Sequence, residues 1–140
     1  MYKCMASFDG ILIGLMVVLN GLLASKTGNT QSLIIIHGAG LLASVVLLIG
    51  SGTHLNRIKG LPYYLFTAGA LGIFTVLFNN SSFLKLGATL TLCLNLLGQL
   101  FTSMIIDHFG LLGQQINKIN FLKIIGVAIM VLGIIAMIFI

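Results

Sequence analysis

A chain of 140 residues that is 59% hydrophobic and 6% charged, with a mean hydropathy of +1.18, has too few charges to clothe a water-soluble domain, which carries about 25%. The formal charge is +5, but the basic residues stand singly between apolar runs, without the basic and aromatic stripe of a nucleic-acid-binding surface, so they read as topology signals. Cys4 and Cys93 are far apart and belong to no CxxC or Cys/His cluster, which leaves no zinc site, disulfide framework or cofactor to expect.

Five apolar segments occur in chain order, at about 8–25, 32–50, 61–79, 84–106 and 121–140, each close to the ~20 residues that span a bilayer. The first comes after Lys3 and ends in "LLAS", which imitates a signal peptide, but Asp9 breaks the approach and the segment is expected to be a retained helix. An acid at the start of that helix suits the positive end of its dipole, as an interfacial cap. "KTGNTQ" supplies Gly28 and Asn29 for a helix stop and turn. "SGTHLNRIKG" is a polar, basic connector, and Pro62, the single proline, suits a helix start. "NSS" offers cap-like residues before the fourth helix, and "QQINKIN" separates the last two. Alternating strand patterns are absent and no linker divides the chain. The expected fold is therefore all-α: residues 1–140 as a single transmembrane domain, a bundle of five helices.

Five spans place the termini on opposite sides. Lys3, Arg57, Lys59, Lys118 and Lys123 fall on the N-terminal side, leaving only Lys26 and Lys85 of the seven Lys and Arg residues on the other. The positive-inside rule favours a cytoplasmic N-terminus. Small residues recur at helix-contact spacing: Gly10 and Gly14, Ala39 and Ala43, Ala68 and Gly72, Gly126 and Gly133. They suit close packing within the bundle, or a subunit interface on the last helix.

Polar side chains within apolar helices are costly and face protein or a cavity. Thr91, Asn95, Gln99, Ser103 and Asp107 recur at intervals of four, and Thr102 shares nearly the same face. Together they draw a polar stripe down the fourth helix. Asn20, His37 and Thr75 fall at similar depth in the first three helices, so they can join Asn95 in lining a chamber. Interhelical hydrogen bonding is the competing explanation for each. Asp107 and His108 end the fourth helix. Adjacent helical side chains point ~100° apart, so the pair makes a poor catalytic dyad, and no GxSxG, HExxH or second acid supports an enzyme. A gate or loop anchor fits better. Asp107 meets the negative end of the helix dipole and calls for donors, for which Arg57, Lys59, Lys118 and Lys123 are available.

"GQLFTSMIIDHFGLLG" and "LFNNSSFLKLGATLTL" resemble the YdcZ family, small five-helix members of the drug/metabolite transporter superfamily. "GLMVVLNGLLASKTGN" and then "SLIIIHGAG" resemble that family's first two helices. The resemblance covers nearly the whole chain. It implies membrane transport by short proteins that occur as paired or duplicated halves, with Asn20, His37, Asn79, Asn95, Gln99, Asp107 and His108 at characteristic polar positions.

These readings converge on a small secondary transporter subunit of a bacterial inner membrane, moving an unidentified small solute. Inverted repeats are common among such transporters, which points to an antiparallel homodimer or a heterodimer with a sister subunit. Besides these, lipid is the only partner expected. The alternative is a membrane scaffold or assembly protein whose polar residues serve packing alone.

Overall fold

A computed structural model describes residues 1–52 and 62–139. The regular structure there is entirely helical: α1 (Tyr2–Thr27), α2 (Asn29–Gly50), α3 (Thr67–Phe109) and α4 (Phe121–Phe139), with short 3-10 turns at Tyr63–Phe66 and Leu111–Gly113. These make four helices long and apolar enough to cross a membrane. The expected third and fourth segments run together as α3, whose backbone leaves helical geometry at Gly87 (φ 77°, ψ 178°). That conformation is open essentially to glycine alone. The chain divides into two compact units, residues 1–85 and 86–140.

In the first unit, α1 starts at Tyr2, well before the expected boundary near residue 8, and no acid lies in its first turn. Asp9 is two turns inside the helix, so it is not the interfacial cap the sequence suggested. The "KTGNTQ" connector contracts to a single residue, Gly28 (φ 88°, ψ 153°). Its N–H donates to the Ala24 carbonyl, 2.9 Å, and its carbonyl accepts from the Ser32 N–H, 3.0 Å. One residue thus closes α1 and opens α2, which pack against each other. On α1 the buried face is Val17, Gly21 and Ala24. The Phe83 ring lies against Gly21 so closely that a Cβ there would overlap it.

"NSS" does not cap a new helix, because the backbone stays helical through residues 79–83. The reason lies in the side chains. Ser81 donates its hydroxyl to the Leu77 carbonyl, 2.9 Å, and the Asn29 amide donates to Ser81 Oγ, 2.7 Å, and to the Leu77 oxygen, 3.3 Å. Groups that would otherwise break a helix are absorbed by the start of α2. Pro62 does precede helical structure, with φ −63°, as the residue before the Tyr63–Phe66 turn.

The second unit holds the remainder of α3, the connecting segment and α4. Gly110 ends α3 in the left-handed conformation (φ 62°, ψ 33°), the usual glycine stop. Leu112 also adopts a positive φ, 59°, and Asn120 Oδ1 accepts the Lys123 N–H, 2.9 Å, in the first turn of α4.

Candidate functional site

Among the described residues few side chains are buried, and they are as often polar as apolar: Val17, Ala24 and Ile134 beside Ser32, Asn80 and Thr91. Ser32 and Asn80 are fully buried and Thr91 is 1% exposed, whereas Ile34, Leu47 and Leu122 are each more than 70% exposed. Aliphatic groups so widely exposed fit a hydrocarbon surrounding, and the helices have the length to cross it.

The polar stripe on α3 opens into a groove of about 610 Å³ in the second unit. Gln99, Thr102, Ser103 and Asp107 line it together, with Gly98 and Ile106 beside them and Leu112 and Gln114 closing it from the connecting segment. Thr102 donates its hydroxyl to the Gly98 carbonyl, 2.9 Å, so toward the groove it offers only lone pairs. Thr91 and Asn95 continue the stripe toward Gly87 without lining this groove. Thr91 is buried and donates to the Gly87 carbonyl, 2.7 Å; Asn95 is half-buried and engaged. Sequence reasoning passes over Gln114, which reads as part of a separator. Its signal is an amide placed one short turn beyond a helix that carries a polar stripe.

Asp107 and His108 hold the segment after α3 through different atoms. The Asp107 carbonyl accepts the Asn117 N–H, 2.8 Å, and His108 Nδ1 accepts the Ile119 N–H, 3.3 Å. The His108 ring also meets Phe109 edge-on, at 4.9 Å and 87°. Among the described residues no bond engages the Asp107 carboxylate, and Asp107 lines the groove. Of the expected cationic partners, Lys118 is exposed and Lys123 directs Nζ to the Asn117 carbonyl, 3.4 Å. Arg57 and Lys59 lie outside the described residues.

In the first unit, His37 borders a separate, apolar groove of about 490 Å³ with Thr30, Leu33, Ile34, Gly38, Leu41 and Ile73. Its Nδ1 hydrogen-bonds the Leu33 carbonyl, 2.9 Å. Neither Asn20 nor Thr75 belongs to that lining. Asn20 is half-buried on the flank of the Val17–Ala24 face. Thr75 is exposed and donates to the Leu71 carbonyl, 2.9 Å.

The same unit contains a polar node that sequence reasoning does not find. Asn80 donates from Nδ2 to Ser32 Oγ, 3.1 Å, and Ser32 donates its hydroxyl to the Asn29 carbonyl, 2.7 Å. Both carboxamides therefore turn their nitrogens to serines. Asn29 Oδ1 and Asn80 Oδ1 are buried with no partner among the described residues. Asn29 and Ser32 are spaced by one helical turn, as are Leu77 and Asn80. That spacing is visible in the sequence, but the pairing of the two turns is not.

The described residues contain no group of His, Cys, Asp and Glu able to hold a metal ion. A helical protein with several membrane-length helices and a widely exposed aliphatic surface belongs to the class of polytopic integral membrane proteins. The family described as "Putative inner membrane exporter, YdcZ" matches residues 1–136; the chain belongs to the YdcZ family and is an integral inner-membrane protein. No curated protein and no solved structure matches it.

Proposed function

We propose that the protein is a subunit of a small secondary transporter that carries a small polar solute across the inner membrane and catalyses no bond-making reaction. The observation that carries this reading is the groove in which Gln99, Thr102, Ser103 and Asp107 of α3 gather. Exposed polar groups at membrane depth must meet water, solute or protein, because lipid cannot satisfy them. The family's description as an inner-membrane exporter supports the same function.

The transporter has five spans. At 43 residues, α3 is about twice the length one crossing needs, and Gly87 divides it into two crossings. Lys85 falls just before that division, on the face of the membrane shared with Lys26. The N-terminus is then cytoplasmic and the C-terminus external. One such bundle is small for an enclosed path, and an inverted second copy or sister subunit completes it. Its contact face on α4 includes Gly126 and Gly133, where an added Cβ meets nothing within 4 Å in the single chain.

Reconstitution into sealed vesicles with a panel of small solutes tests this function. Gln99→Leu and Asn95→Leu remove polarity without adding charge, so both should insert normally and lose transport at matched protein level. Full transport by both variants would remove the stripe from the pathway.

A further inference from the structure

The geometry points to a protonated amine as the group the α3 groove takes, an assignment that rests on the transport reading of this groove. Its lining is biased toward acceptors. Thr102 has spent its proton on Gly98 and Asp107 brings a carboxylate, so these two only accept, while Gln99, Ser103 and Gln114 each offer donor and acceptor alike. No cationic side chain lines the groove among the described residues. The neighbouring His108 has its Nδ1 lone pair occupied by the Ile119 N–H. The Asp107 backbone already holds the connecting segment through its carbonyl, so the carboxylate is not needed for that purpose.

An ammonium group has three donors and no acceptor, which suits Asp107, Thr102 and the acceptor oxygens beside them. A carboxylate solute would meet Asp107 as a like charge. The amide and hydroxyl groups around Asp107 add preference for an amine that also bears hydroxyl or carbonyl groups. The apolar residues Ile106 and Leu112 accommodate a short aliphatic backbone. The groove volume lies within the range of small-molecule sites, about 300–1,000 Å³.

The charge preference can be read without knowing the solute. In full-length protein with Cys4 and Cys93 replaced by Ser, Ser103→Cys places a thiol in the groove. Its labelling by cationic and anionic methanethiosulfonates is compared, each rate normalised to a small free thiol. We expect the cationic reagent to be favoured about tenfold, the effect of one carboxylate at close range in a partly hydrated site. Asp107→Asn should abolish that bias and Asp107→Glu should retain it, with Gln99→Cys as a second labelling position. A bias that is absent, or that survives Asp107→Asn at both positions, overturns the assignment. The vesicle assay separates this from the transport reading. If vesicles carry only neutral or anionic solutes and Asp107→Asn spares them, the amine assignment fails and transport stands. If no solute crosses, transport fails, while an Asp107-dependent bias would still support a cation-selective groove.

Discussion

His37 and His108 hold their ring protons on opposite nitrogens. His37 Nδ1 faces the Leu33 carbonyl, which can only accept, so the neutral ring carries its proton on Nδ1. His108 Nδ1 faces the Ile119 N–H, which can only donate, so the neutral ring carries its proton on Nε2. With ¹⁵N-labelled histidine in lipid, the Nδ1 signal of His37 should have the shift of a protonated nitrogen and that of His108 the shift of an unprotonated one. The same tautomer at both sites would contradict the hydrogen bonding described.

Loss of the imidazole at position 108 should act locally. His108→Leu leaves the Ile119 N–H without its acceptor, at a cost of about 1–3 kcal/mol where it is shielded from water. The segment 114–120 should exchange its amide hydrogens faster, while α1 and α2 keep their protection. Uniform loss of protection would instead mean that this bond supports the whole fold.

Phe83 occupies the space a side chain would need at Gly21. Gly21→Leu should therefore force the ring away and destabilise the protein by about 1–3 kcal/mol, the usual range for overpacking. Reversible unfolding in mixed micelles would measure this. Phe83→Ala in the Gly21→Leu background should recover part of the loss, and no recovery would separate the two residues energetically.

The Asn80–Ser32 bond joins α2 to α3 in the first unit. Asn80→Ala removes the donor and opens a small void, so stability should fall by about 1–2 kcal/mol. Ser32→Ala should cost a similar amount, and the double variant less than the sum of the two. Additive losses in that cycle would show that the bond carries no coupling energy.

Reporter fusions at the C-terminus test the five-span arrangement. A periplasmic reporter should be active and a cytoplasmic one silent. Equal activity of both would indicate dual topology and favour an antiparallel homodimer over a sister-subunit pair.

The helical class, the membrane setting and the polar stripe are legible in the sequence because each depends on composition or on a period within one helix. Gln99, Thr102 and Asp107 share a groove, as their spacing requires. Boundaries are less legible, because they depend on partners distant in the chain. Residues 79–82 read as a turn by local preference, yet Asn29 and Ser32 hydrogen-bond Ser81 and Asn80 from another helix, and the break moves to Gly87. Asp9 reads as a cap because Tyr2–Phe8 gives no sign of being helical. Depth alone suggests that Asn20, His37 and Thr75 line one chamber. Facing is set by helix rotation, and the His37 groove takes Ile73 rather than Thr75.

The one-residue join at Gly28 leaves no slack between α1 and α2. Each residue added to an α-helix rotates the rest of that helix by ~100°, so a single residue inserted at the start of α2 would swing Asn29 and Ser32 off Ser81 and Asn80 and bring Gln31 to the place of Ser32. Local loop flexibility could not absorb the error, because no loop exists there. The hairpin therefore works as a gauge block: chain length between residues 27 and 29 sets the rotational phase at which Asn29 and Ser32 meet Ser81 and Asn80.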